Sequence, residues 1–327
     1  MSERIFQPSP TPKRVFVLGG TGTIGRTTVD ALMERGHQVV CFVRPGSKIR
    51  SDVIVRQGDV TDPVSLGRDG FCGEPFDALV SCLASRTGAP RDAWAIDHQA
   101  HVDALAVAQR SGITQMVLLS AICVQRPLLE FQHAKLAFEQ VLIRSGIAYS
   151  IVRPTAFFKS LSGQIDRVRR GKPYLLFGDG TLTACKPISD RDLGTYLAEC
   201  LDDEMRQNCI LPIGGPGDAI TPRQQGEHLF QLLGQQPKFR QVPVGMLDAI
   251  TGGLGALGRL SPKLREKAEL ARIGRYYATE SMLVWDADAG RYDATATPST
   301  GADTLFEFYE RVLAGKATVD RGDHAVF

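Results

Sequence analysis

Short apolar runs alternate with longer helix-like segments through the first half of the chain. The first run, at residues 15–18, precedes a helix-like stretch at 27–35, and a longer one occurs at about 94–111. Further apolar runs follow at 39–43, 53–55, 78–82, 116–120 and 149–152. Continuous apolar runs of this length are typical of strands buried on both faces of a parallel sheet. The alternation therefore predicts an α/β fold with a doubly wound parallel sheet.

The first apolar run leads directly into a glycine-rich turn at residues 19–25. Glycines at this spacing between a strand and a helix allow a tight turn, a close approach of the backbone to a phosphate, and close packing of the helix. The helix should open near Thr23, with its amides facing the pyrophosphate of a dinucleotide. We therefore predict a Rossmann-type fold, and dinucleotide binding is favoured over an ordinary turn. The cofactor-binding residues predicted here are Gly19, Thr21, Gly22, Thr23, Ile24 and Gly25.

The residues after the next strands indicate which nucleotide binds. Enzymes selective for NAD usually carry an acidic residue about 20 residues after the glycines, whereas this chain has Arg44. A guanidinium matches a phosphate, so NADPH is the predicted cofactor. Asp59 and Val60 are predicted beside the adenine, although Asp59 can equally be a turn residue. Leu83 and Ala84, after the fourth strand, should lie close to the cofactor.

The pattern becomes irregular after residue 155, and glycine- and proline-rich joints occur at 171–173 and 214–217. We predict a mobile N-terminal tail at 1–12, an NADP-binding Rossmann domain at 13–155, and a smaller C-terminal substrate-binding lobe at 156–327, partly packed back on the sheet. The apolar segment at 246–260 contains several glycines. It can be a buried helix, a lid, or a face that touches membrane lipid or a partner enzyme.

Composition narrows the functional classes. The chain has 327 residues, of which 43% are hydrophobic and 23% charged, with a formal net charge of +2. This charge gives no electrostatic case for nucleic acid as a partner. The seven cysteines are scattered without metal-ligand spacing, so we predict reduced thiols, a cytoplasmic location and no metal site. The N-terminus lacks the apolar region of a signal peptide, and no apolar run reaches the length of a membrane span.

The segment after the fifth strand should carry the chemistry. Ser120 ends that strand, and Phe131 and Lys135 follow on the next predicted helix. This arrangement resembles the short-chain dehydrogenase/reductase family, in which a serine precedes a Tyr-x-x-x-Lys pair. The resemblance implies that Lys135 is the catalytic residue and binds the nicotinamide ribose. The residues assigned to the nicotinamide end are Ser120, Lys135, Pro154, Thr155 and Phe157.

Phe131 stands at the position of the family's tyrosine. Phenylalanine has no proton to give to a carbonyl oxygen, so ordinary alcohol dehydrogenation is disfavoured. The departure suits the atypical branch of the family, in which the reduced bond can be a carbon–carbon double bond.

Longer segments carry a more specific resemblance, which spans about residues 13–312. The runs at 118–139, 153–164, 171–189, 211–227 and 273–286, including GDGTLTACKPIS and GRYYATESM, are similar to the divinyl chlorophyllide 8-vinyl reductases. Those are NADPH-dependent enzymes of chlorophyll and bacteriochlorophyll biosynthesis. The resemblance implies reduction of the 8-vinyl group of a magnesium tetrapyrrole to ethyl. Because the plant enzymes carry a long transit region and this chain has a short tail, we expect a bacterial protein.

A flat tetrapyrrole needs apolar walls and a few polar anchors for its carboxylates. The substrate-binding residues predicted on this basis are Phe157, Phe158, Lys159, Lys186 and Tyr276, with Tyr277 as a further aromatic candidate. Two other classes stay open: another atypical NADPH-dependent double-bond or quinone reductase, and a non-catalytic NADP-sensing regulator. The intact Lys135 argues against the regulator.

Overall fold

Seven parallel strands form the central sheet, in the order β3-β2-β1-β4-β5-β6-β8. The computed structural model describes residue 9, residues 11–257 and residues 261–319. The strands of this sheet are β1 (Arg14–Leu18), β2 (Gln38–Val43), β3 (Ile54–Gln57), β4 (Ala78–Ser81), β5 (Gln115–Leu119), β6 (Ala148–Pro154) and β8 (Cys209–Ile213). The reversal of strand order between β1 and β4 creates the crevice at which such sheets bind ligands.

Helices cover both faces of the sheet. The helices are α1 (Thr23–Glu34), α2 (Pro63–Ser65), α3 (Pro90–Ala93), α4 (His101–Arg110), α5 (Glu130–Ile143), α6 (Phe158–Leu161), α7 (Ile165–Arg169), α8 (Asp190–Glu199), α9 (Pro222–Leu232), α10 (Val244–Leu257), α11 (Pro262–Thr279) and α12 (Leu305–Leu313). Helices α1 and α8 contribute to the hydrophobic core on one face, and α4 and α5 to the core on the other. Residues 15–18 of β1 are at most 1% exposed, as expected for a central strand covered on both sides.

The helix predicted at 94–111 is longer and less regular than expected. It runs from α3 to α4 through a π-helical segment, Trp94–Ala100, and a second π-helical turn, Leu66–Phe71, extends α2. A π-helical segment shifts the register of the side chains that follow it, and such segments are frequent at functional sites.

The second half of the chain contributes to two regions. Helix α8 and strand β8 return to the main sheet, which gives it a seventh strand that the apolar pattern did not predict. The rest forms a lobe with a parallel pair, β7 (Tyr174–Phe177) and β9 (Phe239–Val242), and an antiparallel pair, β10 (Val284–Asp286) and β11 (Arg291–Asp293). The lobe has its own core, to which α9 and α12 contribute. Within the described residues, no helix combines the length and apolar character needed to cross a bilayer.

The predicted tail at 1–12 falls largely outside the described residues. Ser9 is an exception, because its amide donates to the Arg35 carbonyl (2.9 Å) and its hydroxyl to the Asp202 carboxylate (2.8 Å). The chain is therefore anchored at residue 9, earlier than the predicted end of the tail.

Candidate active site

The glycine-rich turn packs against the exit of β4 too closely to admit side chains. A Cβ atom on Gly19 would lie 2.5 Å from the carbonyl carbon of Cys82, and φ at Gly19 is +75°. A Cβ atom on Gly25 would lie 2.0 Å from the Gly19 carbonyl oxygen. Helix α1 begins at Thr23, and its N-cap, Gly22, supplies no capping side chain. Within the part of the chain that the structure describes, no side chain caps the amides of the first helical turn, which suits the phosphates of a dinucleotide.

Arg44 follows β2 at the carboxyl edge of the sheet. The register pairs Leu18 with Phe42, so Arg44 lies beside the glycine-rich turn and is exposed. Among the residues that the structure describes, no carboxylate forms an ion pair with it. This location is compatible with binding a ribose phosphate, as the sequence predicts.

Asp59 has a local role in the structure. Its Oδ1 accepts hydrogen bonds from the amide (2.9 Å) and hydroxyl (2.7 Å) of Thr61, which lower the pKa of this carboxyl. This is the turn role that the sequence left open, and the adenine contact stays a prediction. Val60 packs against the core, Leu83 is partly buried next to Gly19, and Ala84 is exposed.

Lys135 pairs with a buried carboxylate that sequence reasoning missed. Its ammonium lies 3.0 Å from Oδ1 of Asp97, whose side chain is fully buried, while the side chain of Lys135 is 12% exposed. The Ser85 amide also donates to Asp97 Oδ1 (3.2 Å), and Asp97 Oδ2 has no partner among the described residues. Because Asp97 lies in the π-helical segment, no pattern in the sequence indicated that it faces Lys135.

Ser120 is held in a second buried network. Its hydroxyl donates to Glu139 Oε1 (2.5 Å), and Arg153 donates to the same oxygen from Nε (3.2 Å). Glu139 is fully buried and forms an ion pair with Arg153. Ser120 therefore has its proton committed to Glu139, and only its lone pairs are available to a ligand.

His101 anchors helix α4 to the sheet. Its Nδ1 lies 2.9 Å from the Ile96 carbonyl oxygen, and its Nε2 lies 2.8 Å from the Ser81 hydroxyl. Since a carbonyl only accepts, Nδ1 carries the proton and Nε2 accepts from Ser81. Burial lowers the pKa of His101 to about 4, so it is neutral near pH 7. In the part of the chain that the structure describes, no three His, Cys, Asp or Glu residues are grouped to hold a metal.

Helix α11 covers the region beyond β5. Tyr276 is 3% exposed and donates its hydroxyl to the Cys123 carbonyl (3.0 Å), in a core cluster that Phe131 also contacts. This burial gives no support to Tyr276 as a wall of the substrate site. Tyr277, the next residue, is 40% exposed and is better placed to contact a ligand.

The segment after β6 joins the cofactor region to the lobe. Thr155 donates its hydroxyl to the Lys186 carbonyl, and Phe157 packs partly exposed against the core of the main sheet. Phe158 is only 2% exposed and packs on Phe308 in the core of the lobe. The geometry therefore supports Phe157 but not Phe158 as a contact of the substrate.

The two lysines predicted to anchor substrate carboxylates are engaged elsewhere. The Lys159 ammonium donates to the Thr23 hydroxyl (2.9 Å), at the start of α1. The Lys186 ammonium donates to the Thr297 carbonyl (2.9 Å) and the Ser299 hydroxyl (3.3 Å). Neither contact supports the predicted role.

Comparison with known proteins agrees with this geometry. A family model described as NAD(P)H-binding matches residues 19–204, so the chain binds a nicotinamide cofactor. Among solved structures, the quinone oxidoreductase QOR2 from Escherichia coli, complexed with NADPH, has a TM-score of 0.65 at 16% identity and covers 91% of this chain and 99% of its own. The Thermus thermophilus UDP-glucose 4-epimerase, in complex with NAD, has a TM-score of 0.59 at 20% identity over 70% of this chain and 86% of its own. At these identities the likeness confirms the predicted fold.

Curated relatives match over nearly the whole length. The chloroplastic divinyl chlorophyllide a 8-vinyl-reductase of Oryza sativa subsp. indica is 48% identical over 98% of this chain and 83% of its own length. The protein of the same name from Arabidopsis thaliana is 46% identical over 93% of this chain and 78% of its own. The resemblance noted in the sequence is thereby confirmed, and the chain belongs to the divinyl chlorophyllide a 8-vinyl-reductase family.

Proposed function

We propose that the protein reduces the 8-vinyl group of a divinyl chlorophyllide or protochlorophyllide to ethyl, with NADPH as reductant. The observation that carries the proposal is the 48% identity to a divinyl chlorophyllide a 8-vinyl-reductase over 98% of the chain. The candidate site agrees with this proposal, because the glycine-rich turn suits a dinucleotide and Lys135 forms an ion pair with the buried Asp97.

The preference for NADPH rests on Arg44. Its exposed guanidinium at the end of β2 is free of an ion pair within the described part of the chain, at the place where the ribose of the adenosine half would lie. A phosphate on that ribose would give it a bidentate partner, which the ribose of NADH lacks.

The reaction requires little from the protein at the reacting atom. A bound nicotinamide cofactor would supply a hydride to the vinyl group, and the conjugated macrocycle would delocalise the negative charge that results. No oxyanion forms at the reacting atom, so Phe131 in place of tyrosine is no defect. Lys135 holds the ribose, while the Asp97 carboxylate, 3.0 Å away, fixes the position of the ammonium. The proton for the inner vinyl carbon then comes from Lys135 or water.

The substrate would lie between the segment after β6 and helix α11. Phe157 and Tyr277 keep exposed surface there and are the aromatic walls that we favour. We also propose that helix α10, which exposes Met246 (47%) and Ile250 (43%), makes peripheral contact with a membrane or a pathway enzyme. Residues 258–260 of that apolar segment lie outside the described residues. A cytoplasmic, bacterial location stays a prediction.

The test is a direct assay with purified protein, NADPH and divinyl chlorophyllide. We expect a shift of the Soret band and a product heavier by one added H₂, with no reaction of the 8-ethyl pigment. A Lys135→Met variant is the matched negative control. NADPH oxidation by simple quinones without any change in the pigment would instead support the quinone reductase alternative.

A further inference from the structure

Lys159 reaches from the segment after β6 to the start of the first helix. Its ammonium donates to the Thr23 hydroxyl (2.9 Å) across a separation of 136 residues in sequence. Thr23 is the first residue of α1, directly after the glycine-rich turn. We propose that Lys159 binds the pyrophosphate of the nicotinamide dinucleotide, and is not an anchor for a carboxylate of the substrate.

The charge at this end of α1 suits such a contact. The helix N-terminus carries a partial positive charge and uncapped amides, and its first turn contains no acidic residue. A pyrophosphate bound there would place its oxygens beside Thr23, within reach of a side chain already hydrogen-bonded to that residue. An ammonium has three donors, so Lys159 can bind a phosphate oxygen while it keeps the bond to Thr23.

No competing anion holds Lys159 in place. Within the ranges that the structure describes, no carboxylate forms an ion pair with its ammonium. The neighbouring acidic residue is Asp190, at the start of α8, whose Oδ1 is buried without a described partner. Attraction to Lys159 lowers the pKa of Asp190, but burial outweighs it and raises that pKa to about 6. Asp190 is therefore mostly ionised at neutral pH, but among the described residues it forms no ion pair with Lys159, whose ammonium keeps donors free for a phosphate oxygen.

The backbone of Lys159 is fixed by the lobe. The preceding residue, Phe158, is buried in the core of the lobe against Phe308, and the Phe158 amide donates to the Ile188 carbonyl. One residue therefore belongs to the packing of the lobe while the next reaches the nucleotide turn. Through this segment, the pyrophosphate would contact both the Rossmann half and the lobe.

The proposal rests on nicotinamide nucleotide binding and not on the identity of the pigment, so a binding titration tests it alone. Lys159→Gln removes the charge but can still donate to Thr23. We expect it to weaken NADPH and NADH alike, by about tenfold, because both carry the pyrophosphate. Lys159→Arg should retain most of the affinity, and Lys172→Met, at an exposed lysine elsewhere, should change neither cofactor.

Each other outcome has a defined meaning. Unchanged affinity for both nucleotides, together with a raised KM for the pigment, would overturn the proposal and restore the substrate role of Lys159. Loss of affinity for NADPH but not for NADH would indicate that Lys159 contacts the ribose phosphate and not the pyrophosphate, which also overturns the proposal. Melting curves without nucleotide check that the Gln and Arg variants are folded. If Lys159→Gln melts early, the neutral variant Lys159→Met is compared with wild type in increasing salt. A smaller salt dependence of nucleotide binding is expected, since loss of a phosphate contact reduces that dependence, and an unchanged dependence would overturn the proposal.

Discussion

Replacing Lys135 by methionine should lower both the turnover and the free energy of unfolding. A second substitution at Asp97 should restore the stability without restoring the turnover. The Lys135 ammonium is the charged partner of Asp97, whose side chain is fully buried. Removing one member of a buried ion pair typically costs 3–5 kcal/mol, because the other charge is left without compensation. Since the Lys135 side chain is 12% exposed and the Ser85 amide still donates to Asp97, we expect a loss of about 2–3 kcal/mol. Turnover should fall at least about tenfold, which is about 1.4 kcal/mol in the barrier.

The matched control is the double variant Lys135→Met/Asp97→Asn. The amide keeps an acceptor for Ser85 but carries no charge, so most of the stability should return while turnover stays low. Denaturant unfolding at pH 7 measures the stability, and initial rates at saturating NADPH measure the turnover. Wild-type turnover in the single variant would refute the role of Lys135 in the reaction. A single variant as stable as wild type would show that the pair with Asp97 does not stabilise the fold.

Three further perturbations have defined outcomes. Arg44→Ala should weaken NADPH by about 1.5–3 kcal/mol and leave NADH nearly unchanged, because only NADPH carries the second phosphate; equal losses in a titration would contradict the assignment. Asp190 has a pKa raised to about 6 by burial, so its ionisation destabilises the folded state increasingly from about pH 4 to pH 6 and by a constant amount above. Asp190→Asn should therefore raise the free energy of unfolding by about 1–3 kcal/mol at pH 8 and by little at pH 4. A stabilisation seen by denaturant unfolding only at acidic pH would contradict this expectation. Phe131→Tyr should not accelerate vinyl reduction, and deuterated NADPH should label the outer carbon of the new ethyl group once; NMR of the pigment without deuterium in that group would rule out the mechanism.

Predictions from the sequence were most accurate where burial is continuous. Strands β1, β2, β4, β5 and β6 lie within about two residues of the apolar runs that predicted them, because central parallel strands are covered on both faces. Strand β8 was missed since it is only partly buried, contains Pro212 and pairs with β6 across a long separation. Motif spacing does indicate a lysine at position 135, but it cannot show which distant side chain faces it.

The same limit explains why the structure gives no support to several residues of the predicted substrate site. Phe157 and Phe158 are identical neighbouring residues, but Phe157 is partly exposed and Phe158 is buried. Only the packing of the lobe decides which of the two is buried. Lys159 and Lys186 were assigned by charge alone. Their partners lie more than 100 residues away in sequence, at Thr23 and Thr297, and no local pattern predicts contacts over such separations.

The number of residues in the π-helical segment Trp94–Ala100 determines the direction in which Asp97 faces. An α-helix turns by about 100° for each residue, so deleting one residue from this segment would rotate the chain on one side of the deletion against the other by that angle. With α4 held by His101 against Ser81, the rotation would fall on the side of Asp97 and carry its carboxylate away from Lys135. A single deletion that changes no catalytic side chain would thus break the ion pair between Lys135 and Asp97. Insertions or deletions in this helix are therefore the changes to inspect first in inactive relatives.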